Sequence, residues 1–348
     1  MRPSKRLLKI AYAKKIPVKV TMELTYNCNL KCFYCYVVKQ NKKELELNEI
    51  KEFIDEIKNL GTLFVTLTGG EPFLRPDIFE IISYLREKKF AVHIITNGTL
   101  LNEKAIKTLA KLNPVEVSIS LHGATSKTHD YITGVEGSFE LAINAIKQLK
   151  SSDLYTTARC TILRENVKEL KKIKSICDEF GITCLFDPLV TPKDNGDQTP
   201  VLHRADATSL YEVLKEGKVI PYISKFPEDD AHNLLCSAGI TNFCLSPYGD
   251  VKPCIQIPII AGNIRKRPLK EIWQKGEILN TLRNMKPEDI KECFNCPIRE
   301  FCNRCHGLAY LESGSIFKKA PSNCFWAEIN KKAFYAGSET RTRTPKGP

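Results

Sequence analysis

No run of apolar residues in this chain approaches the ~18–20 residues needed to cross a membrane. The basic start, with Arg2, Lys5 and Arg6, leads into Leu7-Leu8-Lys9-Ile10-Ala11-Tyr12, which is too short and too charged for a signal-peptide core. Six histidines are present and none forms a ligand pair, so a histidine-built metal centre is not expected. No internal repeat appears. The lysines are scattered along helix faces rather than packed with aromatics, so the formal charge of +12 reads as solvated surface and not as a nucleic-acid footprint. These absences leave a cytoplasmic globular protein, with neither membrane nor nucleic acid among its expected partners.

Cysteine, by contrast, is abundant: 14 in 348 residues. In a reducing compartment that number argues for metal rather than disulfides. Cys160, Cys177 and Cys184 stand singly in apolar patterns and read as core thiols. The other eleven sit among Gly, Pro and aromatic residues in loop-like contexts. The densest group is Cys28-x3-Cys32-x2-Cys35, directly after an apolar run. Three thiolates hold only three corners of a cubane, whereas a [4Fe–4S] cluster normally takes four cysteines. This loop therefore leaves one iron open. With eleven cysteines bound to clusters, the charge of the loaded protein falls to about +7.

A βα rhythm runs along residues 17–190. Strand-like runs are Val18–Leu24, Leu63–Thr68, Ala91–Thr96, Val115–Leu121, Tyr155–Leu163 and Ile182–Phe186. Helical patterns separate them over Asn48–Leu60, Pro76–Lys88, Glu103–Leu112, Ser138–Lys150 and Val167–Phe180. Ile50, Phe53, Ile54, Ile57 and Leu60 show the spacing of one buried helix face. Six strands alternating with helices imply an α/β fold whose parallel sheet curls into a partial (β/α)6 barrel, with the site at the C-terminal strand ends. Residues 1–16 read as an N-terminal extension and 191–235 as a turn-rich connector containing one helix. Residues 236–330 form a small cysteine-rich domain with little periodicity, whose fold is expected to depend on metal. Residues 331–348 read as a disordered tail.

The CxxxCxxC loop resembles the signature of radical S-adenosylmethionine (SAM) enzymes. Two further features agree: Tyr34 precedes the third cysteine, and Gly69-Gly70-Glu71-Pro72 follows the second strand, where that superfamily binds the methionine amino group of SAM. The resemblance implies that Cys28, Cys32 and Cys35 hold a SAM-binding [4Fe–4S] cluster, whose reduction cleaves SAM to a 5′-deoxyadenosyl radical that abstracts a substrate hydrogen. An external flavodoxin- or ferredoxin-type donor would supply the electron. Gly69 and Gly70 would let the backbone approach SAM, and Glu71 would accept from its ammonium. Ser120 aligns with a serine that contacts SAM in relatives. The Arg expected after His129-Asp130 is missing, and Arg159, a charge inside an apolar strand, is the candidate replacement for the SAM carboxylate. Asn97 is a further candidate contact, its alternative being a strand-ending turn with Gly98.

The distal cysteines resemble the SPASM extension, which carries two auxiliary [4Fe–4S] clusters, making three in all. By that resemblance Cys293, Cys296, Cys302 and Cys324 hold the outer cluster, and Cys236, Cys244, Cys254 and Cys305 the inner one. The Cys302–Cys305 gap is two residues where three is commonest. Cys244 is either the fourth inner ligand or a core thiol, in which case the inner cluster keeps an open iron for substrate. A zinc ribbon over Cys293–Cys305 is the plainer alternative.

Three functions compete: a maturase that oxidatively modifies a ribosomally made peptide, a relative acting on a small molecule such as a tetrapyrrole side chain in haem biosynthesis, and a non-catalytic electron carrier. The first strand begins near residue 17, leaving no room for a fused leader-peptide domain, so a separate leader-binding protein would deliver a peptide. Formylglycine formation is disfavoured because Cys254 is followed by Ile255, where sulfatase-maturing relatives carry an Asp base. Asp187, at the end of the sixth strand, is the candidate substrate-facing acid or base, its alternative being a turn before Pro188.

Overall fold

The computed structural model describes residues 3–215, 217, 219 and 235–342. Six parallel strands form its centre: β1 (Lys19–Glu23), β2 (Phe64–Thr68), β3 (Ala91–Thr96), β4 (Glu116–Ser120), β5 (Thr156–Thr161) and β6 (Thr183–Asp187). The helices α1 (Pro3–Lys14), α2 (Leu47–Asn59), α3 (Ile78–Glu87), α4 (Glu103–Leu112), α5 (Ser126–Thr133), α6 (Ser138–Ser151) and α7 (Leu170–Glu179) precede or connect these strands. Then come α8 (Ala207–Leu214), β7 (Asn242–Leu245), β8 (Asp250–Lys252), β9 (Gly262–Asn263), α9 (Leu269–Lys275), α10 (Glu277–Asn284), α11 (Lys291–Phe294), α12 (His306–Ser313) and α13 (Pro321–Thr342). The order β6-β5-β4-β3-β2-β1, with every neighbouring pair parallel, is that of successive βα units, as the alternation implied.

Local chemistry explains the boundaries. In α2 the stripe Ile50, Phe53, Ile54 and Ile57 is buried, and the Glu46 amide donates to Glu49 at 2.8 Å to close the first turn. In α4 the Asn102 side chain accepts from the Ala105 amide at 2.9 Å, and left-handed Asn113 ends the helix. Strand residues alternate between helix-facing apolar positions such as Ile94, Val117, Ile119 and Ala158, which are fully buried, and polar positions facing the barrel interior.

Two expectations need correcting. The cysteine-rich segment, whose lack of periodicity left it little core of its own to expect, does build core. β7 adds in parallel to β1, pairing Lys19 with Asn242 and Met22 with Leu245, and β8 and β9 extend the sheet antiparallel to nine strands. Leu269, Ile272, Trp273, Leu279 and Leu282 from α9 and α10 join the barrel's own core, and the Trp273 indole donates to the Lys15 carbonyl at 2.9 Å. These helices are 7 and 8 residues long. That is about two turns each, too few to show a periodicity in sequence. The expected disordered tail is helical through Thr342, because Trp326, Ile329 and Ala333 are buried in the main core and α13 packs on α8. Residues 343–348 lie outside the described residues, as do residues 220–234 of the connector. Among the described residues no helix is long and apolar enough to cross a membrane.

Candidate active site

The loop after β1 carries Cys28, Cys32 and Cys35 to the C-terminal end of the barrel, where they line a cavity of about 320 Å³. The loop is anchored at both sides: Thr25 Oγ1 and the Tyr26 amide donate to Glu44 at 3.0 and 2.9 Å, and the Lys31 amide to Thr133 at 2.7 Å. Burial pushes the Cys32 thiol up to about 12, helped by the neighbouring Cys35 and Cys28, and raises Cys28 and Cys35 as well. Thiols held this way are neutral until a metal replaces their protons. Three thiols on the wall of one open cavity are the donor set of a cluster with one iron left for a ligand.

Gly69, Gly70, Tyr34, Asn97 and Ser120 line the same cavity. The glycines, though, answer to a different neighbour from the one expected. A Cβ on Gly69 would lie 2.3 Å from the Thr25 carbonyl oxygen, and one on Gly70 would lie 2.2 Å from that of Asn27. The Gly70 and Glu71 amides donate to those same carbonyls at 2.7 and 2.8 Å. The turn after β2 is thus fused to the backbone leading into Cys28, and this cradle leaves its other side to the cavity.

Glu71 is placed differently from its expected role as an ammonium acceptor. It is fully buried, and its carboxylate accepts from Thr96 Oγ1 (2.7 Å), the Phe73 amide (3.0 Å) and the Asn97 amide (2.8 Å), which ties the end of β2 to the end of β3. Three donors converge on it, so the amide of Glu71→Gln would oppose at least one of them and leave a buried donor unpaired, at about 1–3 kcal/mol. We expect that variant to melt several degrees lower even without SAM; an unchanged melting point with weakened SAM binding would restore the ligand role.

Asn97 is more than a turn residue: its amide donates to Asn29 Oδ1 at 2.9 Å and lies 3.9 Å from Cys28 Sγ, tethering the cysteine loop to β3. Tyr34 donates or accepts at His122 Nε2 over 2.6 Å. His122, overlooked by sequence reasoning, lines the cavity beside Ser120, and burial lowers its pKa to about 3, so it is a neutral hydrogen-bonding wall.

Arg159 lies elsewhere. It lines a second cavity of about 410 Å³ lower in the barrel, with Thr21, Thr66, His93, Glu116 and Ser118, and its Nε donates to Ser118 Oγ at 3.2 Å. Asp187 pairs with Thr161 in the register that puts Leu185 beside Arg159, and so shares that face. Its side chain is exposed, and partial desolvation there raises its carboxyl, opposed by the Leu189 amide at 2.9 Å and by the Arg159 charge. The two cavities share Thr68 and Ile95, and the lower one is also walled by Ile255, next to Cys254.

The distal thiols fall into two neighbourhoods. Cys302 is pushed up to about 12 by burial, then by Cys324, Cys293 and Cys296; Cys236 rises to about 11 by burial, then by Cys254 and Cys305. The first grouping joins the four thiols expected to act together as an outer set, and the second joins three of the four expected as an inner set, without Cys244. Cys244 is fully buried on β7, within electrostatic reach of Cys254, but its thiol points at Glu23 Oε2 over 3.6 Å, beside Lys252. Among the described residues, no three His, Cys, Asp or Glu side chains are arranged to hold a single metal ion. Cys160 and Cys177 are buried core thiols.

With this geometry in view, the comparisons with known proteins are decisive about class. Residues 22–176 match the radical SAM superfamily and residues 236–297 match the SPASM iron-sulfur cluster-binding domain. The chain belongs to the radical SAM superfamily; it is an enzyme of SAM and iron–sulfur chemistry. It is 31% identical over 336 residues to the AdoMet-dependent heme synthase of Methanosarcina barkeri, covering 88% of this chain and 95% of that one. It is 30% identical over 305 residues to the mycofactocin maturase MftC of Mycolicibacterium smegmatis, covering 82% and 77%. The fold is similar to that of Streptococcus suis SuiB bound to SAM, with a TM-score of 0.71 at 18% identity over 92% of this chain and 80% of that one.

Proposed function

We propose that this enzyme oxidises a ribosomally made peptide at a position held between the SAM cradle and the inner auxiliary cluster. The carrying observation is that the upper and lower cavities meet at Thr68 and Ile95 while the lower one reaches Ile255, one residue from Cys254. A substrate group lying there has the cysteine loop at one end and the inner thiols at the other. Cys28, Cys32 and Cys35 would hold the SAM-binding cluster, Cys293, Cys296, Cys302 and Cys324 the outer cluster, and Cys236, Cys254 and Cys305 the inner one, whose fourth position Cys244 would fill only by turning its thiol away from Glu23. When bound and reduced, the first cluster and SAM together supply the radical that removes a substrate hydrogen atom. Asn97 and the Gly69–Gly70 cradle hold the loop in place, Ser120 and the neutral Tyr34–His122 pair shape the SAM-side wall, and Asp187 takes up the proton that the oxidised substrate releases. Arg159, with its guanidinium in the lower cavity, reaches a carboxylate there, of SAM or of substrate. The electron enters from a cytoplasmic flavodoxin- or ferredoxin-type donor. MftC, the Bacillus subtilis subtilosin protein AlbA, 27% identical, and SuiB, whose structure includes its precursor peptide SuiA, support the peptide reading.

A second reading, a tetrapyrrole side chain as substrate, is favoured by the heme synthase match over 95% of that relative, against 77% of MftC. Anaerobic reconstitution is expected to load about twelve iron atoms per chain. Incubation with dithionite, SAM and either a small peptide encoded beside the gene or an iron porphyrin bearing carboxylate side chains then decides. A mass loss in the peptide supports the first reading, and a mass loss in the porphyrin only supports the second. No SAM cleavage at all would sink both and leave an electron carrier.

A further inference from the structure

Arg304 stands between two thiols in sequence, Cys302 and Cys305, and is 3% exposed. A guanidinium remains charged in proteins, and burying a cation is expensive unless an anion pairs with it. Among the described residues no carboxylate does so. Its Nη2 donates to the Ile316 and Lys318 carbonyls at 2.6 and 2.5 Å, and its Nη1 to His306 Nδ1 at 2.7 Å. These bonds fix the guanidinium plane. The remaining donor, Nε–H, is buried and meets no partner of good hydrogen-bond geometry, while the guanidinium comes within hydrogen-bonding reach of the Cys293 thiol.

Beyond those carbonyls and the imidazole, thiols lie within reach of this cation, Cys293 close enough for a hydrogen bond. Its charge acts on Cys293 and Cys302 of the outer group and on Cys236 and Cys305 of the inner group. A single buried positive charge therefore faces four thiols drawn from both groups, with one hydrogen-bond donor left over. The missing negative charge arrives when those thiols become cluster-bound thiolates. Cluster potentials follow net charge and hydrogen bonds to the sulfurs, and the low-dielectric interior strengthens both effects.

We infer that Arg304 is the shared counter-charge of the two auxiliary clusters, raising the reduction potential of both and offering its free Nε–H to the outer one. The inference rests on the two-auxiliary-cluster part of the function proposed above. Arg304 is a positioning residue for electrons, acting through the clusters and not on substrate.

The test is a potentiometric titration of the reconstituted full-length enzyme followed by electron paramagnetic resonance, with SAM added to mark the signal of the Cys28–Cys35 cluster. Wild-type protein holding only about four iron atoms would defeat the two-cluster reading itself. With about twelve present, Arg304→Gln is expected to lower both auxiliary potentials, the outer more, and to leave the SAM-binding cluster where it was. Arg304→Lys keeps the charge and loses Nε–H, so the inner potential should stay near wild type while the outer falls partway. Unchanged auxiliary potentials in an iron-replete Arg304→Gln would overturn the inference. If that variant fails to load iron, Arg304→Lys decides alone: an unchanged outer potential overturns it, and iron loss from both variants does too, because packing and not charge would then be the requirement.

Discussion

Gly69→Ala is expected to lower SAM cleavage by about 10²-fold or more and to strip the SAM-binding cluster, with iron falling from about twelve to about eight atoms per chain. Two independent penalties meet at this residue. Its φ of +136° is a backbone conformation that an L side chain rarely adopts, and the new Cβ would lie 2.3 Å from the Thr25 carbonyl oxygen. The atom it meets is main chain, so no side chain can swing away. The strain has to be relieved by separating the β2 turn from the backbone that leads into Cys28, which breaks the 2.7 Å bond from the Gly70 amide to Thr25. A shift of about 1 Å at this seam displaces a cluster ligand, and misplacements of that size cost rate on the stated scale. Iron analysis and 5′-deoxyadenosine formation measure both consequences. A variant with full iron and wild-type cleavage would show that the seam does not position the loop.

Gly307→Ala is expected to do the same to the inner auxiliary site while sparing the first. Gly307 lies in α12, two residues past Cys305, and a Cβ there would stand 2.1 Å from the Gln256 carbonyl oxygen, two residues past Cys254. This contact sets how near Cys305 comes to Cys254. Relieving it moves α12 outward by about 1 Å in an interior with little spare volume. We expect the loss of about four iron atoms, retained 5′-deoxyadenosine formation, and substrate oxidation reduced about 10²-fold. Uncoupling is the telling sign: radical formation continues while the oxidised product does not accumulate. Equal losses in SAM cleavage and product would instead place the damage in the barrel.

The alternation of strand and helix from residue 19 to 187 was readable because each barrel strand buries an apolar face under helices, and each helix longer than about two turns shows its stripe. The thiol spacings were readable because a cubane demands ligands at short, loop-compatible intervals. Glu71 was legible as a residue that matters but not as what it does. Whether a carboxylate meets a ligand or three backbone and hydroxyl donors depends on Thr96 and Asn97, 25 and 26 residues away. His122 carried no signal, since a lone histidine acquires its role only from Tyr34, 88 residues off. The sheet extension by β7 to β9 escaped notice for a related reason: strands of 4, 3 and 2 residues are too short for a pattern.

Taken by itself, the sequence determined the class of chemistry. Three thiols with a vacant corner, a glycine-rich turn after the second strand and eight distal cysteines admit few alternatives, because ligand type and spacing are local properties. Tertiary structure decided the rest. It turned Gly69 and Gly70 into a seam with the cysteine loop, moved Arg159 away from the SAM-side cavity into the lower one, and set Arg304 as an unpaired charge between two groups of thiols. Each of those outcomes depends on which distant backbone or side chain fills the space beside a residue, and close packing of remote segments is information that no local pattern holds.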